Sequence, residues 1–344
     1  MPTSSKKVQK SSVWQRLRKR RDDFLARGPH RTLQLTRRRD YVRPLNLPGY
    51  ISFTHEVNKT VWTHKKIFGL LVLVLVVMQG VLVGVSSQET YGILSDSLQE
   101  SGQELTSGDW SAVDQAAVTL LSIASLGNPL DSGEAQQIFA VFIFTLTWLV
   151  TVWLLRNLMA GHRVTLRDGL YNAGSPIVAS IVILMYMVIQ LLPVGIAALG
   201  YIAASQSGLL EGGAVSMMFW IAASLLAVLS AFWLTSSLFA LILVTLPGMY
   251  PYRAIRTAGD LVLGRRMRIL FRWLWMVLCL AVLGAALLMV VVLLDLGLKT
   301  LIPATSSWPV VPFAILILSV ISTVWSSTYV YLLYRKVVDN GTDE

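Results

Sequence analysis

Ile67-Phe-Gly-Leu-Leu-Val-Leu-Val-Leu-Val-Val-Met-Gln-Gly-Val-Leu-Val-Gly-Val85 is an unbroken apolar run that carries no charge and a single amide, Gln79. A hydrocarbon core about 30 Å thick needs roughly 20 apolar helical residues, so this stretch is long enough to cross a bilayer. The same reading extends outward to Ile138 to Leu155, Pro176 to Ala204, Ser216 to Leu246, Ile269 to Leu298 and Pro309 to Tyr334. Lipid cannot hydrogen-bond an exposed peptide group, so each run is a helix or part of a closed barrel. None shows the period-two alternation of a barrel strand. The predicted fold is all-α, a polytopic bundle of six transmembrane helices.

Composition agrees. Apolar residues make up 54% of the 344, mean hydropathy is +0.61, and only 14% are charged, against about 25% in soluble domains. Lys and Arg stay on the cytoplasmic side of a membrane, and here they alternate from loop to loop. Residues 1 to 66 hold 17, Arg156 to Arg167 three, Arg253 to Arg272 six, and the tail Arg335 and Lys336. The segment between the first two spans carries Glu89, Asp96, Glu100, Glu104, Asp109, Asp114, Asp131 and Glu134 with no base. Both termini are expected inside, in the cytoplasmic (plasma) membrane. Lys299 stands four positions after Asp295, and such an i,i+4 pair is expected to anchor the outer end of its helix.

The net charge of +10 resides in the N-terminal arm. Residues 1 to 47 have a composition that cannot bury enough apolar surface to fold alone and read as a disordered cytoplasmic arm. Arg37, Arg38 and Arg39 within it, with Lys65 and Lys66 at the first span, are expected to contact anionic lipid, a gain of about 1 kcal/mol per basic residue. RNA or ribosome binding is a weaker use of the arm, because no RNA-binding fold accompanies the charges. Residues 48 to 66 form an amphipathic segment in which Tyr50, Phe53, Val57 and Val61 recur at helical spacing. It is expected to lie in the cytoplasmic interface.

The acidic segment from Ser86 to Gln137 is predicted to hold a short helix over 112–126, capped by Ser111 and Asp114 and stopped by Gly127-Asn128-Pro129. Its acids show no calcium-loop pattern, so no metal is expected. Nor is a cofactor or an enzymatic activity. His30, His55, His64 and His162 lack zinc-motif spacing, neither a G-x-S-x-G elbow nor a phosphate loop occurs, and Cys279 is the single cysteine. The middles of the spans contain no ionisable side chain, which argues against an ion-coupled pump. Their polar residues include Gln79, Thr235-Ser236-Ser237 and the Ser/Thr series from Ser319 to Thr328, all compatible with close helix packing. Gln190 beside Pro193 is the candidate intramembrane polar site, since a broken helix exposes carbonyls.

The most distinctive local sequence is Val244-Thr-Leu-Pro-Gly-Met-Tyr-Pro-Tyr-Arg253-Ala-Ile-Arg256-Thr-Ala-Gly-Asp260-Leu-Val-Leu-Gly264-Arg265-Arg266-Met-Arg268-Ile269. Pro247 and Pro251 end the fourth span, a short interfacial helix follows, and a Gly264-Arg-Arg turn re-enters the membrane. Arg253, Arg256, Arg265, Arg266 and Arg268 are the candidate contacts to lipid headgroups or a partner. Through Pro251, Ala254, Leu261, Gly264 and Arg265 this loop resembles that of bacterial multi-span proteins related to the membrane domain fused to some glycerophosphodiester phosphodiesterases. The resemblance covers about residues 135 to 335 and carries no catalytic residue. The function expected of the chain as a whole is that of a lipid-associated or membrane-organising protein whose bundle or lateral grooves hold lipid or a partner helix. The loop from Ala160 to Ala173 looks like an earlier copy of the same helix–loop–helix unit. The alternative is a permease-like subunit whose loop 250–268 docks a separate ATPase. Its expected coupling pattern is poorly met, because Arg253 stands for a Glu and Phe271-Arg272 for a Leu-Pro.

Overall fold

The computed structural model describes residues 47–84, 133–207, 213–301 and 308–342. The arm with Arg37, Arg38 and Arg39, and the predicted helix over 112–126, lie outside the described residues. Ten α-helices occur among the described residues: α1 Tyr50–Thr63, α2 Lys65–Leu82, α3 Glu134–Met159, α4 Leu166–Ala173, α5 Ile177–Gln190, α6 Leu192–Gln206, α7 Gly213–Leu243, α8 Pro251–Val262, α9 Arg266–Leu301 and α10 Val310–Thr342. Five of them, α2, α3, α7, α9 and α10, are long and apolar enough to cross a membrane. The regular structure among the described residues is all helical, and its long apolar helices are those of a multi-pass membrane protein.

The third predicted span is divided. α5 ends at Gln190 and α6 begins at Leu192, because Pro193 has no N–H to give the preceding turn. Neither half alone has the length of a crossing. α7 packs against both α5 and α6, so the two halves lie along one long neighbour. At its other end α5 meets α4 at 68°.

α3 and α10 form the centre. α10 packs against α1, α2, α3, α7 and α9, and Leu149, Val150, Leu154, Leu155, Tyr329 and Val330 are all nearly inaccessible. Thr147 and Thr151 on α3 and Thr328 on α10 return their hydroxyls to the carbonyl four residues back, at 2.7, 2.7 and 2.8 Å. Hydroxyls satisfied within their own helix can be buried in an apolar bundle without partners across it. α9 differs from α3 in turning most of its apolar surface outward: Leu274, Leu278, Val282, Leu287, Val290 and Leu294 are all exposed. Such a face requires an apolar surrounding.

Two parts of the chain repeat one plan. A long helix (α3, α7) ends, a glycine in the left-handed region follows (Gly161 φ 81°, Gly248 φ 78°), and a short helix (α4, α8) packs back on the long one. The positive φ suits glycine because a Cβ is strained there. Small residues one turn apart face inward on each short helix, Gly169 and Ala173 on α4, Ala254 and Ala258 on α8. At Gly169 the approach is close enough that an added Cβ would meet Leu154 Cδ2 at 3.1 Å. The start of α4 is fixed by Thr165, whose backbone N–H and hydroxyl both donate to Asp168 Oδ2, at 2.9 and 2.7 Å. Those two bonds, the hydroxyl's first, hold the Asp168 carboxyl below its ordinary range.

Candidate functional site: an arginine-rich end of the bundle

The basic residues that read as one patch fall into two groups. Arg253, Arg256 and Arg268 are exposed, as are Lys65 and Lys66. Among the described residues none of these three arginines has an ion-pair partner. Arg265 is only 2% exposed and its Nη1 donates to the Val337 carbonyl at 3.1 Å, which corrects the expectation that it meets a headgroup. Arg266 is half-buried with its guanidinium 4.8 Å from the centre of the Phe232 ring. It too is used within the bundle.

The physical reason is visible in a third arginine of the same kind. Arg156 Nη1, near the end of α3, donates to the Thr245 carbonyl at 3.1 Å, just past the end of α7. Helix C-termini present carbonyls without intrahelical partners, and they carry the negative end of the helix dipole. Arginines placed there satisfy both with one side chain. The Thr245 carbonyl lies just past the end of α7, while the Val337 carbonyl lies within α10, five residues before its end at Thr342, so part of the positive charge is spent on backbone oxygen.

Arg272 was not among the candidates, yet it is the most involved of all. It is 6% exposed. Nη1 donates to the Gly49 carbonyl at 3.2 Å and Nη2 to the Pro48 carbonyl. The guanidinium also lies over the Tyr50 ring at 4.2 Å and 5.7 Å from the Phe53 centroid. A planar, delocalised cation can donate in its plane and stack on aromatic faces together. Its own carbonyl accepts from Tyr329 Oη at 3.1 Å. The signal that could have found it is its position, an Arg three residues inside an apolar run and flanked by Phe271 and Trp273.

Arg272 belongs to a cradle that holds α1. Trp275 Nε1 donates to Thr54 Oγ1 at 3.1 Å, Trp325 Nε1 donates to Asn58 Oδ1 at 2.7 Å, and Lys336 Nζ pairs with Glu56 Oε1 at 3.0 Å. Phe53 and Val57 are fully buried, with Phe53 edge-on to Tyr329 at 4.8 Å between centroids. The apolar stripe foreseen for this segment exists, and it packs against protein. Ile51 and Trp62, on the opposite side, are 75% and 71% exposed.

At the break between α5 and α6, Ser237 Oγ donates to Gln190 Oε1 at 2.7 Å. Both residues are buried and Pro193 is half-buried. The predicted polar site is therefore a buried cross-helix bond between α5 and α7, beside the helix break. Gln79 reaches Ser319 Oγ on α10 at 3.5 Å. The Asp295–Lys299 pair forms as expected, at 2.7 Å. Compared with known proteins, the chain matches no family model, no curated protein and no solved structure.

Proposed function

We propose that this protein crosses a cytoplasmic membrane six times with both termini inside, and that it is a lipid-associated or membrane-organising protein, not an enzyme. The observation that carries the lipid reading is the division among its arginines. After Arg156, Arg265 and Arg272 have taken backbone carbonyls, Arg253, Arg256 and Arg268 remain exposed, without acidic partners among the described residues. They stand beside exposed Tyr252 and Phe271, and a mixture of cations and aromatic rings suits the headgroup level of an anionic leaflet.

Six crossings are supported by lengths. α5 and α6 lie end to end along α7 and together cover the predicted third span. On α9 the charged residues Arg272 and Asp295 are separated by roughly 34 Å at a rise of 1.5 Å per residue, close to the thickness of a hydrocarbon core. The inside placement of the termini follows from the distribution of basic residues.

A permease-like subunit remains the second reading because α8 packs by one face and leaves Tyr252, Arg253, Arg256 and Asp260 outward, a surface that a soluble ATPase could dock on. Mild-detergent purification with mass spectrometry of retained lipids and proteins separates the two. An anionic phospholipid lost on changing Arg253, Arg256 and Arg268 to Gln supports the lipid reading. A stoichiometric ATPase lost in that variant replaces it with the permease reading. RNA that is removed by salt and by deleting residues 1 to 43 would move the function to the arm.

A further inference from the structure

We propose that the Arg266 guanidinium is the seat of one tightly held phospholipid, whose phosphate it takes on the lipid-facing side of α7 and α9. The inference rests on the lipid-associated reading and deepens it, through a residue distinct from the exposed arginines.

Four arginines are drawn into the bundle, and their donors fare differently. Arg156, Arg265 and Arg272 each give an Nη to a backbone carbonyl. Arg266 gives none. Its Nε is buried without an acceptor, and its other N–H groups donate to nothing among the described residues. What holds it is the Phe232 ring, whose centre lies 4.8 Å from the guanidinium carbon. A ring engages the face of a guanidinium and leaves the edge, where its N–H bonds lie, unspent. Arg272 shows the complete arrangement, with aromatic rings against the cation and carbonyls on its donors.

Position decides what fills that edge. Arg266 opens α9 just before the fifth apolar run, while Phe232 lies well inside the fourth, so the ring draws the charge toward the hydrocarbon. Asp260, the acid nearest in sequence, is exposed on α8, and Arg266 has no ion pair among the described residues. An unpaired charge at that depth is costly. The flanking residues that reach the surface are apolar: Leu229 and Trp233 on α7 and Met267 on α9 are 38%, 39% and 54% exposed. A free anion would have to leave water for such a surface, whereas a phospholipid brings its phosphate there on chains that suit it. The arginine fork fits phosphate oxygens two at a time. A single cation asks for a single phosphate, so this seat takes a phospholipid whatever its net charge, and selection for anionic lipid is left to Arg253, Arg256 and Arg268.

The test is native mass spectrometry of the full-length protein, washed in mild detergent and titrated with dioleoylphosphatidylethanolamine, which carries a phosphate but no net charge. Wild type is expected to hold one molecule, and Arg266→Gln to bind it about tenfold more weakly, as for loss of a charged hydrogen bond. Arg266→Lys should fall between them, because it keeps the charge without the fork. Equal binding by wild type and Arg266→Gln would overturn the proposal. Since the Gln change also removes packing on Phe232, wild type is compared with dioleoylglycerol, which has the same chains and no phosphate. Equal affinity for the two lipids would overturn the phosphate contact, and displacement of the bound lipid by inorganic phosphate would overturn the lipid as its source. Changing Arg253, Arg256 and Arg268 to Gln should leave this lipid in place and abolish the preference for phosphatidylglycerol in mixed micelles. Loss of the lipid in that triple variant would move the site to the exposed arginines and overturn Arg266 as its seat. An undiminished preference for phosphatidylglycerol there would refute the exposed-arginine reading and leave the Arg266 seat standing.

Discussion

Arg272 on α9 donates to the Gly49 carbonyl at 3.2 Å, so a residue of the fifth apolar run holds the chain just before α1, 223 positions upstream. Replacing it by Gln would leave the buried guanidinium's place empty and the Pro48 and Gly49 carbonyls short of a donor. The expected loss is on the order of 2 kcal/mol, the cost of unpaired buried polar groups. Arg272→Lys should fall between wild type and Gln, because an ammonium keeps the charge without the planar fork. Unfolding midpoints in one detergent check the order. A Gln variant as stable as wild type would mean the clamp adds nothing to stability.

Two glycines in the short helices should respond with opposite signs. At Gly169 an added Cβ meets Leu154 Cδ2 at 3.1 Å and Cγ at 3.2 Å, so Gly169→Val should separate α4 from α3 and cost about 1–3 kcal/mol by overpacking. At Gly259, inside α8, nothing lies within 4 Å of an added Cβ. Gly259→Ala should therefore stabilise by roughly 0.5–1 kcal/mol through helix propensity alone. Both are read from the same unfolding curves. A destabilising Gly259→Ala would show that α8 needs that glycine for contact with something beyond this chain.

The apolar runs were legible because hydropathy reports the surrounding solvent directly, and the break at Pro193 was legible because a missing N–H has one local consequence. What a stripe faces was not. Tyr50, Phe53, Val57 and Val61 have the spacing of an interfacial helix, and the same spacing serves for packing on α9 and α10, since lipid and protein core are both apolar. The roles of the arginines were hidden for a similar reason. Counting charges cannot tell Arg253, which faces outward, from Arg265, which reaches the Val337 carbonyl, because that carbonyl belongs to a different helix, 72 positions away.

The orientation is tested by single cysteines in a Cys279→Ser background. His162 and Ser207 are exposed, the first in the turn after α3 and the second at the end of α6. Cysteine at 162 should react with an impermeant maleimide only after the membrane is opened, and cysteine at 207 in intact cells. Labelling of both from the outside would overturn the inside placement of the α3–α4 turn, and with it the assignment of the arginine-rich end to the cytoplasmic leaflet.

The Ser237–Gln190 bond calls for a double-mutant cycle. Ser237→Ala leaves Gln190 Oε1 buried without this donor, and the expected cost is about 0.6 kcal/mol, near the average for interhelical bonds within membranes, with ~1.7 as the upper range. Gln190→Leu removes the acceptor and leaves the hydroxyl, which can turn to a carbonyl of its own helix as Ser236 does toward Trp233. The serine change should therefore be the costlier single substitution, and the double variant should recover part of its loss because the amide is gone as well. A cycle with no coupling would mean that Pro193 alone sets the break between α5 and α6. A coupling well above the upper range would point to a helix break held in place by this pair, with Gln190 positioning the end of α5 against α7.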